Sequence, residues 1–276
     1  MKIYAFSDEA AASVDGQIAA MKRNGLNGTE IRGVDGQSVA SITADKAKEV
    51  LRKLTDNGLI VWSVGSPIGK IDIEKDDFGV HMSRFLHTLE IANLLECSRM
   101  RMFSFYIPAG EAPEKYRNEI IDRLSRMTEI AKTYNVTLCH ENEKGIYGDS
   151  AARCADILNA VPGLHCIFDP ANFIQCGQDI PEAWALLGKR VDYMHIKDAL
   201  PDGTVVPAGK GIGCLPRILA EFRQNGGEAL TVEPHLQVFD GLAALEKDKK
   251  TPVAAYAYPS SDAAFDAACD ALKALL

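Results

Sequence analysis

The chain lacks any CxxC pair, and its seven cysteines, at 97, 139, 154, 166, 176, 214 and 269, are odd in number and scattered. They read as reduced, mostly core thiols rather than as a disulfide framework. No stretch approaches the roughly 18 uninterrupted apolar residues of a membrane span, which argues against a membrane partner. No long basic tract exists either: the formal charge is −8 with both signs interspersed. Nucleic acid is therefore a poor partner, because backbone binding needs a cationic footprint. The opening MKIYAFSDEA has one basic residue and an apolar interval broken at Asp8, without the apolar region or cleavage pattern of a signal peptide. The expectation is a cytoplasmic protein. Finally, FSDEAA stands where a nucleotide-binding chain would carry GxGxxG after its first strand, and GxxxxGK[ST] occurs nowhere. No organic cofactor is expected.

What is present is enough apolar text for a full core, 47% of 276 residues. Eight short β-branched or apolar segments recur: KIYAF (2–6), GTEIRG (28–33), LIVWSVG (59–65), RMRMFSFY (99–106), VTLCHEN (136–142), LHCIFD (164–169), VDYMHIK (191–197) and EALTVEP (228–234). Between them run amphipathic stretches such as VHMSRFLHTLEIANLL and YRNEIIDRLSRMTEIAKTY, with apolar positions three and four apart. Eight strand-and-helix units in about 250 residues match the count and size of a closed (β/α)8 TIM barrel of the α/β class. A doubly wound sheet is the runner-up and lacks its glycine-rich loop. Residues 1–276 are assigned to a single barrel domain, with a C-terminal loop and closing helix at about 251–276. In that tail an Ala/Lys-rich segment, 242–250, precedes TPVAAYAYPSS and then DAAFDAACDALKALL.

Active sites of such barrels collect at the C-terminal ends of the strands. Those ends carry Glu30 and Arg32, Glu141 and Glu143, Asp169, His195 and Lys197, and Glu233 with His235. Each alone reads more easily as a cap, a surface group or a hydrogen-bonded core residue. Glu141, Asp169, His195 and Glu233, however, end four consecutive strands, so closure gathers them in one quadrant of the mouth. Three carboxylates that close repel one another unless a cation neutralises them. One divalent metal ion satisfies the set: Mn or Mg if waters complete an octahedron, with Zn or Co chemically permissible.

HENEKGIYGD, FDPANF, MHIKDA, PAGKG and TVEPH together resemble the xylose isomerase-like superfamily, in particular its ketose epimerase and sugar phosphate isomerase branch. The likeness runs from the N-terminus through Glu233. It implies that Glu141, Asp169, His195 and Glu233 hold the metal and that Glu141 and Glu233 move protons on opposite sides of a bound sugar, with the metal stabilising a developing ene-diolate. The function so implied is a metal-dependent isomerase or epimerase of a small polyhydroxy carbonyl compound, a sugar or sugar phosphate. A lyase or dehydratase of a sugar acid or inositol derivative is the first alternative, and a non-catalytic sugar-binding barrel the second. The endonuclease branch, with its histidine-rich three-metal cluster, is disfavoured by six histidines in all and by the strand ends SVGSP and FSFY, which supply none.

Two positions depart from the family's pattern. Asn172 stands where many sugar-handling relatives have histidine, and Pro201 where ketose epimerases tend to have arginine. Lys197 then becomes the natural substitute for the missing cation, because strand parity sets it on the same face as His195. The alternative for Lys197 is a rim salt bridge to Glu233 or Asp198. Asp198, of opposite parity, is expected to orient a neighbour. Lys210 within the glycine-rich PAGKGIG is a further substrate-binding candidate, through a loop whose backbone donors wrap an anion or which merely makes a tight turn. Lys70 and Arg101 complete a possible cationic group with Lys197 and Lys210. Phe6 and Trp62 are candidate walls for a sugar ring. The catalytic set is therefore Glu141, Glu233 and Lys197, and the substrate-binding set Phe6, Trp62, Asn172, Lys197 and Lys210. The chain is compatible with a homo-oligomer and fixes no oligomeric state.

Overall fold

A computed structural model of the protein describes residues 1–237 and 258–276. Eight parallel strands close into a barrel in chain order: β1 Lys2–Ala5, β2 Gly28–Ile31, β3 Ile60–Val64, β4 Arg99–Met102, β5 Thr137–Glu141, β6 His165–Phe168, β7 Val191–Ile196 and β8 Ala229–Val232. The ring is sealed by β8 against β1, with Tyr4 opposite Thr231. Each of the eight segments expected from the sequence contains one strand. The fold is the α/β, (β/α)8 TIM barrel.

The helices are α1 Val14–Arg23, α2 Ala44–Asp56, α3 Phe78–Leu94, α4 Arg117–Thr133, α5 Ala151–Ala160, α6 Pro170–Gln175, α7 Ile180–Leu187, α8 Leu215–Gln224 and α9 Ser261–Lys273. Most start at a side-chain cap: the hydroxyls of Ser13, Thr43, Ser150 and Ser260 and the carboxylates of Asp77, Asp169 and Asp179 accept first-turn N–H groups. The closing helix α9 is tied to α1 by Arg23, whose guanidinium meets Asp262 at 2.9 Å and Asp266 at 2.9 Å. The segments 242–250 and 251–257 lie outside the described residues. No described helix is long and apolar enough to cross a membrane.

Strand alternation divides the apolar side chains into two sets. Outward residues such as Met100, Met102 and Leu138 join the large core beneath the helices. Inward residues Tyr4, Cys139, Ile167, Tyr193 and Ala229 form a separate cluster inside the barrel, with Trp62 packed against it. The strand text RMRM shows the division most sharply, since its methionines face the helices while Arg101 turns into the mouth and is buried. Above the inner apolar layer the inward side chains are mostly polar, with Phe6 packed among them. That step in polarity locates the site.

Candidate metal centre

Tyr193 and His195 on β7 and Lys197 just past its end share the inward face, and carboxylates stand at the ends of β5, β6 and β8. Glu141 is the last residue of β5, Asp169 follows β6, and Glu233 follows β8, its N–H donating to Ile196 O at 3.2 Å. One ligand atom from each of Glu141, Asp169, His195 and Glu233 lies within 4.8 Å of every other, and all four residues are buried. His195 Nδ1 is 3.0 Å from Glu141 Oε1 and 3.6 Å from Glu233 Oε2.

Local sequence fixes the carboxylates. Asp169 caps α6: its Oδ1 accepts the Asn172 N–H at 2.9 Å, and Pro170 sits in the first turn, where its missing N–H costs nothing. One carboxylate oxygen is thereby spent on the helix and Oδ2 is left facing the cluster. Asn172 also donates through Nδ2 to Asn142 O at 2.9 Å and to Glu141 Oε1 at 3.3 Å, so it holds Glu141 and Asp169 in register. Among the described residues, Glu141 Oε2 and Asp169 Oδ2 are buried and accept no hydrogen bond. Each meets an ion-pair contact, with Arg101 Nη1 at 3.2 Å and Lys197 Nζ at 2.9 Å respectively.

Lys197 Nζ also lies 2.9 Å from Glu233 Oε2, so its ammonium sits between two of the four candidate ligands. Two carboxyls sharing one ammonium separate in acidity. Burial lifts Asp169 to about 7, opposed by Lys197 and reinforced by the negative charges of Glu233 and Glu141. Burial acts on Glu233 in the same direction, but Lys197, His235, His195 and Arg32 together hold it well below the usual carboxylate range. For His195, burial favours the neutral ring, yet Glu141 and Glu30 outweigh it and raise the group to about 10.

Beside this cluster stands a second acidic group. Arg32 reaches Asp8 Oδ2 at 2.9 Å, Glu9 Oε1 at 3.0 Å and Glu233 Oε1 at 3.4 Å. His235, in the left-handed region with φ 43°, donates its N–H to Glu9 Oε2 at 2.7 Å. Burial lifts Glu9 to about 7 even with Arg32 opposing it.

Several expected residues fall elsewhere. Trp62 is not at the mouth: β3 carries one extra residue there, since Thr29 pairs with Val61 but Glu30 with Ser63. This bulge turns Trp62 into the barrel, where it stacks on Tyr4 at 4.8 Å and meets Tyr193 edge-on, a layer beneath His195. Phe6 does lie beside the cluster, edge-on to His195 with centroids 5.1 Å apart, but it is fully buried. The Arg32 and Arg101 guanidiniums lie 4.4 and 4.8 Å from its ring centroid, so it packs protein cations rather than presenting a wall to a sugar.

The glycine-rich loop does not wrap an external anion. Its amides at Gly209, Gly211 and Gly213 all donate to the buried carboxylate of Asp198, which leaves Lys210 on an exposed turn. Lys70 is engaged with Glu143 at 2.9 Å and holds that carboxyl down at about 2 against the effect of burial. The four cations expected to admit an anion therefore do not form one group: Lys70 pairs with Glu143, Arg101 with Glu141, and Lys197 with both Asp169 and Glu233.

Two residues that complete the geometry escaped the sequence-based site set. Arg101 was detectable from the RMRM alternation, which places both arginines on one face. Glu30 stood visibly at a strand end, but the bulge opposite it makes parity unreliable, and nothing in the text pairs it with His195. In the structure Glu30 Oε2 is 3.0 Å from His195 Nε2.

The donor set fits a divalent ion. Ligands about 2.1 Å from a common ion lie roughly 3 to 4 Å from one another, within the observed spread. Two of the carboxylate oxygens are buried without a hydrogen bond. Around them Glu9, Glu30, Glu141, Asp169 and Glu233 are all buried, and a concentration of carboxyls of this kind is stabilised by a cation.

Fold and cluster together define a class: a closed α/β barrel with a carboxylate-and-imidazole group at its C-terminal mouth. The chain belongs to the xylose isomerase-like TIM barrel family, whose model matches residues 18–250. No curated protein matches its sequence. Among solved structures it is similar to the probable 3-DHS dehydratase AsbF involved in petrobactin synthesis from Bacillus anthracis, at 17% identity over 99% of both chains with a TM-score of 0.74. It is also similar to an IolI protein with a bound zinc atom, at 15% identity over 100% of this chain and 98% of that one, TM-score 0.76. The apo 3-keto-D-glucoside 4-epimerase YcjR from E. coli shares 14% identity over 100% and 98%, TM-score 0.72. At these identities the likeness is one of fold.

Proposed function

We propose that the protein is a divalent-metal-dependent isomerase or epimerase of a small polyhydroxy carbonyl compound. The observation that carries this reading is the convergence of Glu141, Asp169, His195 and Glu233, with two buried carboxylate oxygens that, among the described residues, meet a cation but no aligned hydrogen-bond donor. These four residues would hold the ion. When bound, it supplies Lewis-acid stabilisation of negative charge on a substrate oxygen.

Glu141 and Glu233 come from β5 and the end of β8, on either side of β6 and β7, so they approach His195 from two directions. A substrate carbon between them has one carboxylate on each face. Glu141 or Glu233 takes the proton beside the carbonyl and the other returns it, which inverts the centre or moves the carbonyl. Asn172 fixes Glu141 through its 3.3 Å contact and keeps Asp169 turned toward the cluster. With Asp169 and Glu233 holding a metal, Lys197 would be free to present its ammonium to a substrate oxygen that gains charge.

Two structural neighbours, an epimerase and a probable dehydratase, are consistent with chemistry that begins with proton abstraction. Lys197 supports dehydration as the second reading, because an ammonium beside the base can protonate a departing β-hydroxyl. Incubating Mn-loaded protein in heavy water with ketoses, aldoses, sugar acids and their phosphates separates the cases. Carbon-bound deuterium with reversible conversion supports the isomerase or epimerase, whereas irreversible loss of water supports the lyase. Absence of exchange with every compound counts against both.

A further inference from the structure

Glu30 is fully buried, and both its oxygens are assigned by geometry. Oε1 accepts the Tyr193 hydroxyl at 2.9 Å and lies 3.4 Å from Ser63 Oγ, which is itself 3.1 Å from that hydroxyl. This clamp leaves Oε2 aimed at His195 Nε2, 3.0 Å away. A carboxylate in this position can only accept, so Nε2 must carry the hydrogen. By the same argument the opposite nitrogen, Nδ1, which lies 3.0 Å from Glu141 Oε1 and 3.6 Å from Glu233 Oε2, also carries a hydrogen in the metal-free protein; facing the other candidate ligands, it is the nitrogen that would exchange that hydrogen for a metal. The rings of Phe6 and Tyr193, 5.1 and 5.6 Å from the imidazole with interplanar angles of 78° and 61°, restrict rotation of His195.

We propose that Glu30 is a positioning residue that locks His195 as the Nε2–H tautomer and thereby offers Nδ1 as the nitrogen that binds the metal. This rests on the metal reading above. It adds that β2, which supplies none of the four candidate ligands, sets the chemistry of one of them. A carboxylate hydrogen-bonded to the far nitrogen of a ligating imidazole fixes its orientation and raises its basicity. Here the bulge in β3 makes that contact available: it brings Ser63 opposite Glu30, and Ser63 and Tyr193 then hold the carboxylate.

The test uses zinc as the probe, with affinity read by competition against a chelator and His195 read by 15N NMR of histidine-labelled protein. In the wild type, His195 is expected to show a protonated Nε2 and a metal-bound Nδ1. Glu30→Ala is expected to bind zinc about 10- to 100-fold more weakly and to lose the strongly hydrogen-bonded Nε2–H signal. Glu30→Gln should recover most of that loss and keep the tautomer, because its amide oxygen still accepts from Nε2–H while its NH2 group donates to Ser63 or Tyr193. Zinc carried on Nε2 in the wild type, or an Ala variant that binds within about twofold of it, overturns the proposal. The wild-type spectrum decides by itself should Glu30→Ala fail to fold. A wild type that binds no zinc overturns the metal reading as well, which distinguishes the two failures.

Discussion

Asp198 offers the sharpest structural perturbation, because one carboxylate organises an entire mouth loop. It follows β7, is fully buried, and takes four backbone donors: Ala199 and Gly213 at 2.9 and 2.8 Å on Oδ1, Gly209 and Gly211 at 2.9 and 3.0 Å on Oδ2. Close approach demands glycine here, since a Cβ at Gly211 would lie 2.2 Å from Ala199 O and one at Gly213 would lie 2.6 Å from Asp198 Oδ1. The same Cβ at Gly213 would stand 3.3 Å from Pro170, beside the turn that Asp169 caps. In Asp198→Asn the amide keeps one oxygen for the two more deeply buried donors and turns an NH2 group toward the other two. Two charge-assisted bonds are lost, each worth about 1.5 kcal/mol at the low end of the range, so stability should fall by about 3 kcal/mol. Asp198→Ala, losing all four, should cost about 6 kcal/mol on the same scale. Urea denaturation gives the total, and hydrogen exchange at the amides of Gly209, Gly211 and Gly213 locates it. An Asn variant within about 0.5 kcal/mol of wild type, with those amides still protected, would refute the reasoning.

Lys197→Met should separate stability from metal binding. In the metal-free protein it leaves Asp169 and Glu233 without their shared ammonium and should cost about 3 to 5 kcal/mol. A divalent ion at about 100 times the wild-type dissociation constant should return about 2.7 kcal/mol to the wild type and more to the variant, whose ligand oxygens no ammonium occupies, visible as a larger Tm shift. Turnover should remain low in the loaded variant, and wild-type kinetics would reduce Lys197 to an ion pair. His81 should give stability a pH dependence. Its Nε2 accepts the Gly69 N–H at 2.9 Å, and burial, with Arg84 and Arg123 adding to it, holds it down at about 4. The unfolded chain, with an ordinary histidine near pH 6.5, then binds more protons between pH 6.5 and 4, so stability falls as the pH drops through that window, by about 3 kcal/mol. Replacing His81 with Gln should flatten this part of the profile in denaturation curves. An unchanged profile would mean that His81 is not the group responsible.

How much was legible follows from what repeats. The eight strands were readable because each pairs an apolar outward face with a short length and a turn, and the four cluster residues because each sits at or just past a strand end. Parity placed Tyr193, His195 and Lys197 together on one face, as the structure has them. Legibility ended where the backbone departs from period two. The extra residue in β3 turned Trp62 inward and brought Ser63 opposite Glu30, and no local pattern announces a bulge. It ended again at the glycine-rich loop, whose open donors look the same in sequence whether they await an anion or already hold Asp198. Arg101 was readable in principle from RMRM. Its partner Glu141 was not, because an ion pair across neighbouring strands depends on register.

The central claim is that Glu141, Asp169, His195 and Glu233 hold one divalent ion. Elemental analysis and calorimetric titration with Mn or Zn, run on the wild type beside Glu141→Gln and His195→Ala, test it directly. The account predicts one ion per chain in the wild type and a marked loss of affinity in both variants, each of which remains folded by circular dichroism. Equal metal content and affinity in all three proteins, or none in the wild type, would contradict it.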